Sequence, residues 1–361
     1  MAGYLKPIGG EFWFQKELFN EKIDNFKNAE VMFLDGGQSS LHYIYKGLSL
    51  AKDEYILMPS YLCPSMLIGL ERLNIKYDFY NINKDLSIDT HSIDELMKDK
   101  KVRAVLFVNY FGFYHREETL NYLEDLKKKG LVLIEDAVQM LWFNKAKNFI
   151  GDFVFNSYRK FLPVDGSVLL GKGLSVDMND EESGYSKTVS EARLLKTSFI
   201  KDASCEEENF LKLYSKAEHE YYENIVPRKM IFKNKEIFNN CDLVSIKEIR
   251  IKNFKSLEKE LQAVKEIEPL FKSINIKEAP LGFAVFAKNR DELRRFLRKH
   301  SIFAPVHWNL NGEAWATNYK DSLFVSNNIL TIPIDQRYDY KDMIKIVELI
   351  KEFYNKEVGD L

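Results

Sequence analysis

Lys160 stands between two apolar runs, Phe153-Val154-Phe155 before it and Phe161-Leu162-Pro163-Val164 after it, and Asp165-Gly166 then signals a turn. Desolvation in such a setting depresses a lysine pKa. The side chain then becomes a better amine nucleophile toward an aldehyde and, when free, a carrier of protons. It can equally be a lysine snorkelling off a strand edge. Asp136 follows the apolar run Leu131–Ile134 within Glu135-Asp136-Ala137-Val138-Gln139. A carboxylate at the end of a buried strand needs a cationic partner, such as a protonated ring nitrogen, or else it caps a helix. The third element is Gly36-Gly37-Gln38-Ser39-Ser40, between the apolar run Val31–Leu34 and a helical stretch. Two glycines permit a tight turn, and the free N–H groups of a helix start bind phosphate. The pattern is neither GxGxxG nor a Walker loop, and a plainly capped helix start would read the same. Ser157 can add a hydroxyl to such a phosphate.

These residues need elements to position them. The first half of the chain alternates short apolar runs with amphipathic stretches. Val31–Leu34, Tyr55–Met58, Ile75–Ile82, Val102–Val108, Leu131–Ile134 and Val168–Leu170 read as strands. Leu41–Leu50, Tyr61–Leu73 and Leu120–Lys129 read as helices. Almost continuously apolar strands separated by helices indicate a sheet buried on both faces, hence mostly parallel and doubly wound. Ligands of such sheets sit at the carboxyl ends of the strands. The segments to inspect are therefore Gly36–Ser40, Ser60–Cys63, Asn109–Gly112, Glu135–Gln139 and Ser157–Lys160. Residues 175–187 read as a surface loop. From about Lys247 a long helix, the strand Leu281–Ala287, a helix from Asp291 and a last helix over Tyr340–Tyr354 suggest a smaller α+β domain. The expectation is a large domain over residues 1–245 and a small C-terminal domain over 246–361.

Composition excludes several classes. The 361 residues are 45% hydrophobic, enough for a large core, and the net charge of −2 offers no basic face for nucleic acid. Mixed runs such as KEIEPLFKSINIKE read as solvated helix faces. The N-terminus does not read as a signal peptide, and no apolar stretch approaches a membrane span. Cys63, Cys205 and Cys241 form neither a disulfide framework nor a zinc pattern, and the six histidines are scattered. No metal site is expected, and a reducing cytoplasm fits best.

Each chemical element alone is a weak signal, but their order is not. A phosphate loop, a strand, Asp136, then Ser157 and Lys160 twenty-four residues after the aspartate is the layout of fold-type-I pyridoxal-phosphate (PLP) enzymes. In detail the chain resembles the DegT/DnrJ-type aminotransferases, a divergent sub-branch of them. GGQSSL resembles the family's Gly-Thr-x-x-Leu phosphate loop, MPSYLCPS its Pro-Ser-Tyr segment and IEDAVQ its Glu-Asp-Ala-Ala-Gln. NSYRKFLPVDGSVL resembles the lysine segment of the sub-branch, and SIFAPVHW and LTIPIDQRYDYKDM also resemble it.

The resemblance implies a homodimeric enzyme with a large PLP domain and a smaller C-terminal one. It implies that Lys160 carries the cofactor as a Schiff base, that Asp136 pairs with the pyridine nitrogen and that Gln139 lies near the phenolic oxygen. Gly37, Gln38, Ser39 and Ser157 would hold the phosphate. The family stacks an aromatic ring on PLP from the segment Tyr61-Leu62-Cys63, where this chain places Cys63; a small buried apolar residue is the plain alternative.

The implied reaction moves an amino group from an amino acid, glutamate first, to a keto acceptor. For the family that acceptor is a nucleotide-linked keto-sugar, often of a polysaccharide pathway. The substrate side departs from the family. A Gly-Tyr-Asn-x-Arg segment is missing, Arg250–Phe254 (RIKNF) being no substitute, and Ile332–Tyr338 (IPIDQRY) replaces Leu-Pro-x-His-Pro. Tyr61, His307, Trp308 and Arg337 are the candidates there. Arg337 suits a donor carboxylate as a planar fork, or else pairs with Asp335 or Asp339; Trp308 lines the pocket or packs. The alternatives are other PLP chemistry, dehydration or decarboxylation, and a non-catalytic sensor or scaffold. The family's dehydratase branch replaces the lysine with histidine, so Lys160 speaks against that branch.

Overall fold

The computed structural model describes residues 6–14, 31–141, 149–171, 173–174, 176–178, 183–223 and 226–359. A short strand β1 (Ile8–Gly9) comes first. Then follow β2 (Val31–Leu34), α1 (Gly37–Gly47), β3 (Glu54–Pro59), α2 (Leu67–Arg72) and β4 (Lys76–Tyr80). Next come α3 (Thr90–Asp99), β5 (Lys101–Val108), α4 (Glu117–Lys128), β6 (Val132–Asp136), β7 (Phe153–Phe155) and β8 (Ser167–Leu170). These strands form one seven-stranded sheet in the order β2-β8-β7-β6-β5-β3-β4. The run from β7 to β4 is parallel, and β8 opposes both of its neighbours. The architecture is the α/β expectation: a mostly parallel sheet, whose central strands lose nearly all contact with water (Ala104–Val108 and Leu133–Asp136).

The crossovers follow simple rules. Helix α4 turns Leu123 and Leu126 to the sheet, with Glu117 and Glu118 in its first turn and Lys127 and Lys128 in its last, matching its dipole. Helix α3 is capped by Asp89, whose Oδ1 accepts from the N–H of His91 at 3.1 Å. The predicted helix over Tyr61–Leu73 is shorter than expected. Pro64 holds Cys63 in an extended conformation, a single tight turn covers Pro64–Met66, and α2 begins only at Leu67. Residues Ser60–Cys63 thereby remain a loop at the carboxyl end of β3.

Beyond the sheet, α5 (Gly184–Asp202) and α6 (Glu207–Glu223) pair as a hairpin around Tyr185, Val189 and Ala217. The loop expected over 175–187 lies partly outside the described residues, and from Gly184 onward it is helix. After α7 (Phe232–Asn239), α8 (Leu243–Leu261) crosses into the C-terminal part. That part holds β9 (Ile267–Pro269), β10 (Phe283–Ala287), α9 (Arg290–Lys299), β11 (Ile302–Phe303), α10 (Lys320–Asn328), β12 (Ile329–Ile332) and α11 (Tyr340–Gly359). Strands β12, β10 and β9 form an antiparallel sheet. Strand β1 returns to this region and pairs in parallel with β11, Ile8 opposite Ile302. Gly9 N–H donates to the Tyr338 hydroxyl at 2.7 Å. The chain's N-terminal segment is thus a strap laid across the C-terminal part.

Candidate active site

The five segments singled out at the strand ends meet at one edge of the large sheet. Their centre is Asp136, the last residue of β6. Its neighbours fix it from both sides: Asn109 N–H donates to the Asp136 carbonyl at 3.0 Å, and Ala137 N–H to the Phe155 carbonyl at 2.9 Å. No helix starts at Asp136, so it is not a helix cap. One carboxylate oxygen, Oδ1, accepts from Val138 N–H at 2.7 Å, and the other has no hydrogen-bond donor among the described residues. Burial pushes its pKa up to about 7, against the Val138 hydrogen bond and the nearby Lys160 charge.

Glu135, one residue earlier, faces the other way and is fully satisfied. It accepts from Asn109 Nδ2 at 2.7 Å and from the N–H groups of Ile150 and Gly151, both at 2.9 Å. Glycine at position 151 permits this approach, because a Cβ there would lie 2.7 Å from the Glu135 Cβ. The acid pair in the sequence therefore divides into a structural partner and a free one.

Lys160 ends a tight turn over Tyr158–Lys160. The turn is anchored by apolar side chains that see no solvent, Phe161, Leu162 and Val164. Burial first, and Arg159 second, lower the Lys160 pKa, while Cys63, Glu11 and Asp136 pull it back up. Cys63 and Asp136 thus lie within electrostatic reach of the same amine. Cys63 Sγ contacts Ser65 Oγ at 3.1 Å. Gln139 Oε1 accepts from Phe111 N–H at 2.6 Å, and its buried Nε2 has no partner among the described residues.

The start of α1 closes the other end. Gly36 is extended (φ 178°), so what its missing side chain admits is the Tyr221 hydroxyl, 3.1 Å from where a Cβ would stand. Gly37 lies against the Asn156 carbonyl and the Ser157 Cβ, which brings Ser157 to the helix start. Gln38 N–H donates to Tyr221 at 3.3 Å, while its side chain is turned to Ser65, 2.9 Å from Oγ. The Ser39 hydroxyl is bound to Asp35 and to the Val226 carbonyl at 3.0 Å, so Ser39 offers its backbone rather than its side chain.

Lys160 opens into a cavity of about 330 Å3, walled by Gly9–Phe12 of the strap, Arg250 of α8 and His307. His307 Nδ1 lies 2.9 Å from Thr331 Oγ1, and burial drives its pKa down to about 3, with help from Lys160. It is a neutral wall. Tyr61 and Trp308 are not in this wall. Tyr61 is wholly buried, gives its hydroxyl to the His307 carbonyl, and packs with Tyr110 and Trp308 at ring distances of 5.8 and 5.5 Å. Both hold His307 in place.

Arg337 reaches the cavity, but its fork is taken. Nε binds Asp335 Oδ1 at 2.7 Å and Nη2 binds Oδ2 at 2.9 Å. Two further donors bind the carbonyls of Glu11 and Gly10, and its plane lies between Phe12 and Trp13 at 4.2 and 4.3 Å. The ion pair with Asp335, one of the two sequence alternatives, is the one the fold adopts. Arg250, set aside in the sequence, is the buried guanidinium of this cavity; a charge at the apolar register of α8, between Ile246 and Phe254, was the signal available.

Among the described residues no cluster of His, Cys, Asp or Glu could hold a metal ion, and no helix is long and apolar enough to cross a membrane. The unsatisfied groups instead match a flat, phosphorylated pyridine. A free buried carboxylate oxygen suits a ring N–H, the orphaned Gln139 Nε2 suits a ring oxygen, an amine of depressed pKa suits an aldehyde, and a helix start suits a phosphate.

No family model and no curated protein matches this sequence. Solved structures match its fold over most of their length. DesV of S. venezuelae is 16% identical, with a TM-score of 0.64 over 90% of this chain and 84% of that one. A Streptococcus pneumoniae protein given as a sugar aminotransferase, in a PMP form, is 14% identical, with a TM-score of 0.65 over 92% and 89%. A DegT DnrJ EryC1 StrS aminotransferase from Brucella abortus is 14% identical, with a TM-score of 0.62 over 91% and 87%. The fold is that of the fold-type-I PLP enzymes. Within that fold, the chain is similar in structure to the DegT/DnrJ-class aminotransferases that its motifs resemble.

Proposed function

We propose that this protein is a PLP-dependent aminotransferase that takes an amino group from an amino acid, glutamate first, and delivers it to a keto acceptor of the sugar class. The observation that carries the reading is the set of unspent groups around one buried point: the second oxygen of Asp136, Gln139 Nε2 and the Lys160 amine. The similar fold supports it, and so does the S. pneumoniae structure, which is described in both PMP and PLP forms.

Bound there, PLP supplies an electron sink for the bond broken at the amino-bearing carbon. Asp136 keeps the ring nitrogen protonated by offering an anionic, desolvated oxygen. Gln139 Nε2 would donate to the ring oxygen. The backbone N–H groups of Gly37 and Ser39, with the Ser157 hydroxyl, would hold the phosphate, the Gln38 N–H being already donated to Tyr221. Lys160 Nζ, depressed by burial and by Arg159, is available as the neutral amine that takes a proton from the substrate carbon and returns it. His307 stays uncharged beside it and narrows the space left for water.

The finer parts of the proposal come from the resemblance: a homodimer, a nucleotide-linked keto-sugar as acceptor, a polysaccharide pathway and a cytoplasmic setting. All three cysteines are free thiols, which suits a reducing compartment. Light scattering reads the oligomeric state directly.

The test is spectroscopic. Wild type purified with PLP should show the visible band of a lysine-linked cofactor, and L-glutamate should bleach it with recovery of pyridoxamine phosphate. Lys160→Ala should show neither. A colourless wild type would refute the reading, and a coloured one that no amino acid converts would refute the transfer.

A further inference from the structure

Arg250 is a charged side chain with only 1% of its surface exposed, and it lines the cavity above Lys160. Three of its contacts hold it in place. Nε donates to Gln336 Oε1 at 3.0 Å, and Nη1 donates to the carbonyls of Pro280 and Leu281, both at 3.1 Å. Its plane rests on the ring of Phe161, the residue after Lys160, at 4.7 Å. Gln336 is itself tied to the Phe161 carbonyl. Among the described residues Nη2 has no hydrogen-bond partner, and no carboxylate is hydrogen-bonded to this guanidinium. Asp335 acts on Arg250 electrostatically, but its two oxygens are hydrogen-bonded to Arg337.

A buried cation that no carboxylate touches directly is expensive, and an anion bound at its open nitrogen would offset that cost. Burial shows in the charge itself, whose pKa is pushed down to about 10. Arg159, Arg294 and Arg298 add further positive charge to the cavity wall, against Glu11 and the committed Asp335. One free nitrogen on a guanidinium laid flat against an aromatic ring offers a single in-plane contact. That suits one oxygen of a planar carboxylate, whereas a tetrahedral phosphate dianion asks for several convergent donors.

Resting on the function proposed above, we propose that Arg250, not Arg337, anchors the carboxylate of the amino-acid substrate through Nη2. Gln336 and Phe161 hold the guanidinium and couple its position to the Lys160 turn. The residue then determines specificity: it favours amines that carry a carboxylate near the reacting carbon.

The experiment uses PLP-loaded wild type, Arg250→Met and Arg250→Lys, with maleate and inorganic phosphate as calorimetric probes. Maleate should bind wild type, and binding should weaken about 10- to 100-fold in Arg250→Met, the loss of one charge-assisted contact. In parallel, the half-saturating L-glutamate concentration for bleaching should rise by a similar factor. That rise should exceed any change in the response to methylamine, which has no carboxylate. A structural role alone would move both responses together. Should Arg250→Met not fold, Arg250→Lys is read the same way, since an ammonium cannot hold Gln336, two carbonyls and the ligand at once. Maleate affinity at the wild-type level in a folded variant overturns the proposal, as does an equal loss for glutamate and methylamine. Tighter, Arg250-dependent binding of phosphate than of maleate overturns the carboxylate assignment. A wild type without a visible band sinks the PLP reading instead, a result distinct from each of these.

Discussion

Asp165 lies five residues after Lys160, and its contact with Arg193 on α5 gives a sharp test of what holds the lysine turn. Both side chains are 1% exposed. Arg193 meets Asp165 with both terminal nitrogens, Nη2 to Oδ1 at 3.3 Å, and Tyr185 donates its hydroxyl to Oδ1 at 2.9 Å. Arg193→Met leaves a buried carboxylate without its hydrogen-bonded cation, and Asp165→Asn leaves a buried guanidinium without its hydrogen-bonded anion. Each should cost about 3–5 kcal/mol. Unfolding entropy near 2.1 cal/mol/K per residue makes about 0.76 kcal/mol/K for a chain of this length, so each change should lower Tm by about 4–7 °C. The amide of Asp165→Asn keeps an acceptor for Tyr185, so its loss reports the ion pair. The double variant removes both charges and should lose far less than the sum, a coupling of several kcal/mol in a double-mutant cycle. Thermal unfolding followed by circular dichroism reads all four proteins. Single variants that each shift Tm by about 1 °C or less, or losses that add, would refute the argument that this pair is buried and mutually dependent.

A pH experiment isolates Asp136. Its folded pKa is raised to about 7, so the stability it contributes is complete below about pH 4 and is lost as pH climbs through 7. An amide there never ionises. Cofactor-free Asp136→Asn should therefore be more stable than wild type at pH 8, by up to about 4 kcal/mol at roughly 1.4 kcal/mol per pH unit, and the two should converge by pH 4 in urea denaturation. Equal stability at pH 8 would show that the carboxylate is not desolvated. Gly151→Ala places a methyl 2.7 Å from the Glu135 Cβ and 2.9 Å from the Phe153 carbonyl oxygen, and should cost about 1–3 kcal/mol by the same denaturation assay.

The large sheet was legible because its strands are apolar without alternation, a pattern that burial on both faces requires. Asp136, Gln139, Ser157 and Lys160 could be placed near one another because Asp136 ends a strand and the others lie within five residues of a strand's carboxyl end, where the chain leaves the sheet at one common edge. The substrate side was not. For Arg337 the sequence left an open fork and an ion pair with Asp335 or Asp339 side by side, because it gives no sign of which way Asp335 points. Tyr61 read as a pocket residue and Trp308 as pocket or packing; the contact of Tyr61 with the His307 carbonyl joins segments 246 residues apart, which the sequence does not show. Arg250 could have been found as the odd charge on the buried stripe Leu243, Ile246, Phe254 and Leu257 of α8. The strap could not have been found, since its two-residue pairing with β11 is too short to leave a periodic signal.

That strap sets an order on events in the cell. About 300 residues separate Ile8 from its partner Ile302, and at roughly 5–20 residues per second the ribosome needs some 15–60 s to span them. Throughout that interval Phe12 and Trp13 have no Arg337 to enclose, and the amine of Lys160 has no roof. A nascent chain can complete its central sheet early, yet the wall facing the substrate closes only when the last helices have emerged. The strap is thus among the last pieces to be seated, although it is made long before its partner.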